Sequence, residues 1–198
     1  MDYKVLDMEK YYRKDIYRHF TMDCKCSVMI TSKIDVSELV AYSKQTGTKF
    51  YINFLYVLTK ALNTRDDYKM RYLYQEDKLV VFDKINTAHY VFHEDTETFT
   101  VVYTEFSEDY QAYGLDGSKL NYFDASYIPW LSYEALHVEL PDGHLHFPPI
   151  INWGKYHGEN GRLLMPVTVR MNHAIADGYV VSKAFLLLEK EIERLVED

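Results

Sequence analysis

The segment LLMPVTVRMNHAIADGY, residues 163–179, carries the strongest structural signal in this sequence. Its first half, residues 163–171, is rich in branched apolar side chains and predicts a strand. Pro166 lies within that strand and predicts an edge or irregular position, because proline has no amide hydrogen to donate to a neighbouring strand. Residues 172–178 form a turn, after which a helical pattern begins. The segment therefore predicts a strand, a turn and a helix in succession.

The residues after Gly178 carry apolar side chains at helical spacing, with charged residues on the opposite side. The apolar positions are Val181, Ala184, Phe185, Leu188, Ile192 and Leu195. This stripe predicts an amphipathic C-terminal helix that packs on the rest of the domain.

Two further helices are predicted in the first third of the chain. Asp35-Val-Ser-Glu38 has the form of an N-cap with a capping-box glutamate, and the helix would run to about Gln45, with Gly47 just past its end. Residues 50–63, FYINFLYVLTKALN, are apolar nearly all round and predict a buried helix. The polar stretch 107–119 is compatible with another helix.

Three short runs between these helices predict strands, because each is rich in branched or aromatic side chains. They are residues 78–83, 88–94 and 98–106, and the last two are joined by a tight reversal at 95–97. Strands and helices follow one another without strict alternation. We therefore expect a two-layer α/β sandwich with a mixed, largely antiparallel sheet, formed by one domain over residues 1–198.

Charge and hydropathy exclude several classes of function. The formal net charge is −8, and no cluster of lysine and arginine suited to phosphate binding is present, so a nucleic-acid partner is disfavoured. No apolar run approaches the ~20 residues of a membrane-spanning helix, and residues 1–15 lack the apolar stretch of a signal peptide. We expect a cytoplasmic protein without a membrane partner.

The aromatic and cysteine content bears on binding. The chain has 19 Tyr and 10 Phe, a density that suits a subunit interface, an apolar ligand pocket or a tyrosine-rich core. Cys24 and Cys26 lie too close in sequence for an ordinary disulfide and are too few for a structural zinc site. We predict free thiols and no metal.

His173 stands in the predicted turn, where a side chain projects into a cleft while the backbone stays rigid. Its unperturbed pKa of ~6.5 leaves the ring neutral at pH 7, so it can accept a proton from a hydroxyl nucleophile. Asp177, which precedes a glycine, either shapes the turn or holds a cation. On these residues alone, an ordinary turn histidine remains an open alternative.

The motif NHAIADG, residues 172–178, resembles the HHxxxDG signature of the chloramphenicol acetyltransferase family, whose HxxxDG part is shared by dihydrolipoyl acyltransferases. Asn172 replaces the first histidine of the pair. Four further segments resemble the family in the same order, so the resemblance covers essentially the whole chain. They are Arg13-Lys14, KFYINFLYVLTKALN (49–63), YVFHEDTETFT (90–100) and Ser126-Tyr-Ile-Pro129-Trp130.

The resemblance implies a reaction and roles for four residues. His173 falls on the base that takes the proton of the acceptor hydroxyl while its oxygen attacks acetyl-coenzyme A directly, without an acyl-enzyme. Ser126 falls on the serine that hydrogen-bonds the tetrahedral intermediate. Asp177 and Arg13 fall on a buried ion pair that supports the histidine loop.

The resemblance also implies a homotrimer with active sites between subunits, in which the histidine of one chain faces the acceptor pocket of its neighbour. The pocket positions by this alignment are Phe20, Cys24, Leu136, Val138, Ile150 and Asn152. Each of these is alternatively a core residue.

Three functions remain open at this stage. The first is acetyl transfer to a hydroxyl of chloramphenicol, which confers antibiotic resistance. The second is acyl transfer to another small alcohol or amine, because Phe20, Leu136 and Asn152 replace the tyrosine, phenylalanine and threonine usual in the family. The third is a non-catalytic trimeric binding protein, which the intact catalytic and supporting residues disfavour. A dihydrolipoyl acyltransferase core is not expected, since no lipoyl segment precedes the domain.

Overall fold

Strands and helices alternate irregularly along the computed structural model, which describes residues 2–114, 117, 120–140 and 145–197. The strands are β1 (Tyr3–Val5), β2 (Ser27–Asp35), β3 (Met70–Leu73), β4 (Lys78–Phe82), β5 (Asn86–His93), β6 (Thr98–Thr104), β7 (Tyr122–Ile128), β8 (Ile150–Gly154), β9 (His157–Glu159) and β10 (Arg162–Asn172). The α-helices are α1 (Lys14–Arg18), α2 (Ser37–Thr46), α3 (Phe50–Asn63) and α4 (Gly178–Glu197). A π-helical turn covers His19–Asp23, and 3-10 turns cover Asp66–Lys69 and Tyr110–Ala112.

The main sheet has seven strands, in the order β2-β10-β8-β7-β5-β6 with β9 beside β10. Its pairings are antiparallel except for β5 with β7 and β7 with β8, which are parallel. A second, three-stranded antiparallel sheet has the order β1-β4-β3. The predicted mixed, largely antiparallel α/β architecture is confirmed.

Strand β10 lies inside the sheet, so the edge position predicted from Pro166 is wrong. On one side β10 pairs with β2 along most of its length. On the other side it pairs with β9 over Arg162–Leu164 and with β8 over Val167–Arg170. Pro166 stands between those two pairings, where the ladder is interrupted and an amide hydrogen is not required. The sequence analysis predicted an edge or an irregular position for Pro166, and the second alternative is the one observed.

The apolar core lies between one face of the main sheet and the helices. On β10 the alternate residues Met165, Val167, Val169 and Met171 are buried in this core. All six stripe residues predicted on α4 are buried there too, which confirms the amphipathic helix. Because strand side chains alternate between faces, the residues between these apolar positions point to the other side of the sheet.

That other face carries polar side chains in register across four strands. Thr31 on β2 pairs with Thr168 on β10, Thr168 pairs with Asn152 on β8, and Asn152 pairs with Ser126 on β7. The Thr31 and Thr168 hydroxyls are 2.8 Å apart. The sheet therefore presents Ser126 at the end of a polar row, on the face away from the helices.

The predicted helices match the structure with two corrections. Residues 50–63 form the buried helix α3, and Gly47 adopts a left-handed φ of 69° after α2, as expected of a helix C-terminus. Helix α2 begins at Ser37, so the residue at the N-cap position is Val36 and not the predicted Asp35. Asp35 lies one residue before the N-cap and accepts hydrogen bonds from the Ser37 amide and hydroxyl.

The second correction concerns the polar stretch 107–119. It holds only the short 3-10 turn at Tyr110–Ala112, and residues 115, 116, 118 and 119 lie outside the described residues. The reversal predicted at 95–97 is present between β5 and β6, with Glu97 at a φ of 52°. Of the helices in the described ranges, none has the length and apolar character needed to span a bilayer.

Candidate active site

His173 occupies the turn that joins β10 to α4. Its amide donates a hydrogen bond to the Cys26 carbonyl oxygen at 3.0 Å, which ties the turn to the segment before β2. The Asn172 side-chain oxygen accepts from the Ala174 amide at 2.9 Å, and the Asn172 carbonyl accepts from the Ala176 amide at 3.1 Å. Asn172 therefore holds the backbone of the turn while His173 projects from it.

The His173 ring is oriented by an aromatic neighbour. Phe20, in the π-helical turn after α1, stacks parallel to the imidazole with a centroid separation of 3.7 Å. The Nδ1 atom is buried, and no described residue provides it with a hydrogen-bond partner. Nε2 is therefore the ring nitrogen left to exchange a proton with a ligand.

Asp177 connects the turn to the N-terminal segment. Its Oδ2 is 3.1 Å from Nη1 of Arg13, and its Oδ1 accepts a hydrogen bond from the Val180 amide at 3.0 Å. The second contact caps the N-terminus of α4, a role that the sequence analysis did not predict for Asp177. Burial raises the pKa of Asp177, but the Val180 amide and the Arg13 guanidinium outweigh it, so the pKa lies below its ordinary value.

The predicted ion pair is present but only half-buried. Arg13 is 7% exposed, whereas the Asp177 side chain is 38% exposed. Nε and Nη2 of Arg13 are buried and have no hydrogen-bond partner among the described residues. Arg13 therefore depends on Asp177 for its one charged contact in the described part of the chain.

Ser126 lines a groove of about 500 Å³ on the polar face of the main sheet. Aromatic and aliphatic side chains form most of its wall, and a few polar groups converge on it, as is usual for ligand sites. The lining residues are Tyr90, Phe92, Phe99, Asp124, Ser126, Tyr127, Ile128, Trp130, Val138, Leu140, His146, Ile150 and Asn152.

The structure does not bring His173 and Ser126 together within one chain. Ser126, Asn152 and Thr168 lie in one row across the sheet, and His173 is five residues beyond Thr168. At ~3.3 Å per residue and ~4.8 Å per strand, His173 and Ser126 are on the order of 15–20 Å apart. A site that uses both residues requires a second copy of the chain.

The predicted acceptor residues separate into the same two groups. Val138, Ile150 and Asn152 line the groove beside Ser126. Phe20 stacks on His173, and Cys24, a free exposed thiol, lies two residues before the Cys26 carbonyl that binds the His173 amide. Leu136 is half-buried on the segment that contributes Val138, but it is not among the residues that line the groove.

Sequence reasoning missed two polar residues of the groove, Asp124 and His146. Nε2 of His146 lies 3.8 Å from Oδ2 of Asp124, and Oδ1 of Asp124 accepts a hydrogen bond from the Tyr90 hydroxyl at 2.9 Å. Asp124 precedes Ser126 by two residues on a strand, so the period of two could have placed it on the same face. His146 comes from a distant loop and had no such signal.

The chain is similar to known proteins along most of its length. The family model described as chloramphenicol acetyltransferase matches residues 1–189. A chloramphenicol acetyltransferase from Campylobacter coli is 30% identical over 92% of this chain and 95% of its own length. Another from Proteus mirabilis is 28% identical over 90% of this chain and 89% of its own length.

Solved structures share the fold. A chloramphenicol acetyltransferase superposes with a TM-score of 0.88 over 96% of this chain and all of its own, at 19% identity. The dihydrolipoamide acetyltransferase of Azotobacter vinelandii superposes with a TM-score of 0.66 over 98% of this chain and 93% of its own, at 13% identity. At such identities the superpositions establish the shared fold alone.

Proposed function

Since the chain belongs to the chloramphenicol acetyltransferase family, we propose that it is an enzyme that transfers the acetyl group of acetyl-coenzyme A to a hydroxyl group of chloramphenicol. The observation that carries this proposal is the pair of half-sites on one chain. A histidine with one available ring nitrogen stands on a rigid turn, and a serine stands in an apolar groove. Together they supply a base and a hydrogen-bond donor.

In the proposed reaction His173 acts as the general base. Acetyl-coenzyme A supplies the acetyl thioester when bound. Nε2 of His173 removes the hydroxyl proton as the acceptor oxygen attacks the thioester carbonyl carbon. Ser126 donates a hydrogen bond to the negatively charged oxygen of the tetrahedral intermediate. When the carbon–sulfur bond breaks, the His173 imidazolium returns the proton to the departing thiolate, so the ring is regenerated and no acyl-enzyme forms.

The contacts around His173 favour a fixed orientation of its imidazole ring. The parallel Phe20 ring limits rotation of the histidine side chain, and the Cys26 carbonyl fixes its backbone. Arg13 and Asp177 hold the far end of the same turn. A catalytic base that is held in place before the reaction loses little orientational freedom in the transition state.

We propose a homotrimer in which His173 of one copy faces the Ser126 groove of its neighbour. The large separation of the two residues within one chain supports this arrangement. Exposed apolar side chains beside the groove support it too, because such surfaces usually mark an interface. Trp130 is 60% exposed, and Leu131, Phe92, Phe99 and Val101 are exposed around it.

The experiment that tests the proposed function is identification of the product. Purified protein is incubated with acetyl-coenzyme A and chloramphenicol, and the mixture is analysed by mass spectrometry. We expect an O-acetyl ester of chloramphenicol in amounts equal to the coenzyme A thiol released. Thiol release without the ester, or no release, would contradict acetyl transfer to chloramphenicol.

A further inference from the structure

Asp124 places a carboxyl group inside a largely apolar groove. Its side chain is 19% exposed and lies on the same face as Ser126, two residues away on β7. Ile150 pairs with Asp124 in the sheet and also lines the groove. A carboxylate in such surroundings is costly unless its oxygens are paired.

Among the described residues, the pairing of that carboxylate is incomplete. Oδ1 receives the Tyr90 hydroxyl at 2.9 Å. Oδ2 has His146 Nε2 at 3.8 Å, which is beyond hydrogen-bonding distance. Burial raises the pKa of Asp124, while the Tyr90 hydrogen bond and the more distant Arg71 oppose that shift. Oδ2 is thus positioned to accept from a ligand that enters the groove.

Aromatic rings surround the same space. Tyr90, Phe92, Phe99, Tyr127 and Trp130 all line the groove. The electron-rich faces of such rings attract cations, and a nearby carboxylate strengthens that attraction. A carboxylate within an aromatic wall is the chemistry that recognises an ammonium group.

We propose that Asp124 determines acceptor choice, and that the groove favours an aromatic alcohol carrying an ammonium group over a neutral one with the same hydroxyl groups. The inference rests on the proposed acetyl transfer and adds a preference among the acceptors of that site: chloramphenicol, a neutral amide, is accepted, and an acceptor with a free ammonium group is favoured over a neutral one. The ammonium donates to Oδ2 of Asp124 and lies against the aromatic wall, while the reacting hydroxyl is directed to His173 of the neighbouring copy.

A matched pair of acceptors tests the proposal. The first probe is 2-amino-1-(4-nitrophenyl)propane-1,3-diol, which is chloramphenicol without its dichloroacetyl group and carries an ammonium at neutral pH. The second probe is its N-acetyl amide, which has the same hydroxyls and no charge. Values of kcat/KM are measured for both probes, and binding is measured by calorimetry with His173→Ala, so that affinity is obtained without turnover.

The variant Asp124→Asn removes the charge and keeps an oxygen that can accept the Tyr90 hydrogen bond. Glu139→Gln is the control, because it removes an equal charge from the exposed segment beside the groove, where Glu139 lies 3.8 Å from His137. We expect the wild type to favour the ammonium probe by about tenfold. Asp124→Asn should lower kcat/KM for the ammonium probe about tenfold more than for the neutral amide, and so abolish that preference. Glu139→Gln should keep the preference.

Two results would overturn the inference: equal kcat/KM for both probes in the wild type, or an equal loss for both probes in Asp124→Asn, which would indicate a purely structural role. Binding of the ammonium probe that depends on Asp124, without acetylation of either probe, would support the inference while refuting the proposed reaction. The failures of the two claims are therefore distinguishable.

Discussion

The imidazole of His173 and the ring of Phe20 lie parallel, 7° apart in plane and 3.7 Å apart between centroids. The two rings come from opposite ends of the chain, and their contact sets the direction in which Nε2 of His173 points. Because Nδ1 has no hydrogen-bond partner among the described residues, Phe20 is the main restraint on the imidazole ring.

Replacing Phe20 by alanine should therefore reduce catalysis. Loss of the stacked ring frees the imidazole, and we expect kcat to fall about tenfold. Phe20→Tyr keeps the ring and should retain most of the activity. Steady-state kinetics on both variants, after confirming equal melting temperatures, provide the measurement. Full kcat in Phe20→Ala would show that the stack has no role in orienting the base.

Asp177→Asn should weaken both stability and activity. The change removes the charge that pairs with Arg13 and weakens the cap on α4, and we expect a loss of about 1 kcal/mol in the free energy of unfolding. Denaturant unfolding measures this loss in the free energy of unfolding. Activity should also fall, because the turn that bears His173 loses its ion pair with Arg13. Unchanged stability and activity would remove Asp177 from its supporting role.

The stabilisation by Asp177 should depend on pH in a defined direction. Its pKa is lowered in the folded state, so the folded state favours the ionised form. That contribution is complete above the unfolded-state pKa of ~3.9 and is lost as the pH falls through the lower folded-state value. The stability difference between wild type and Asp177→Asn should therefore be constant near neutrality and shrink below about pH 4. A difference that grows on acidification would contradict this.

Ser126→Ala should affect the chemical step more than binding. Removing a hydrogen-bond donor to the tetrahedral intermediate lowers kcat by on the order of 10²–10³. The KM for the acceptor should change little, because the groove keeps its shape. Ser182→Ala is a suitable control, since that exposed hydroxyl donates a hydrogen bond to the Gly178 carbonyl oxygen of its own helix. Equal effects of the two substitutions would exclude a catalytic role for Ser126.

Mixed oligomers test whether the site is shared between copies. His173→Ala and Ser126→Ala chains should each have little activity alone, but a mixed trimer would place an intact His173 opposite an intact Ser126. With random mixing about one quarter of the sites should be active. Co-expressed and co-purified chains provide the sample, and thiol release provides the signal. No recovery of activity in verified mixed trimers would contradict a site shared between two copies.

Local patterns predicted the elements that single segments determine. Helix α4 follows from six apolar positions at helical spacing, and α3 from a stretch that is apolar all round, because burial of those side chains drives their folding. Pro166 was misplaced at an edge, since nothing in its own strand reveals that β9 ends and β8 begins beside it.

The candidate site was only partly predictable for a similar reason. His173, Ser126, Asp177 and Arg13 lie in motifs that the family resemblance identifies, and the structure pairs the last two. The environment of Asp124 depends on Tyr90 and His146, which approach it from separate segments. Contacts between distant segments leave no periodic pattern in the sequence.

The most direct test of the central claim is thiol release from acetyl-coenzyme A in the presence of chloramphenicol, compared between wild type and His173→Ala. Size-exclusion chromatography and thermal unfolding first establish that both proteins are folded and equally assembled. We predict strong chloramphenicol-dependent release by the wild type and a loss of at least about 10³-fold in kcat for His173→Ala. Equal release by the two proteins would contradict the account of His173 as the catalytic base.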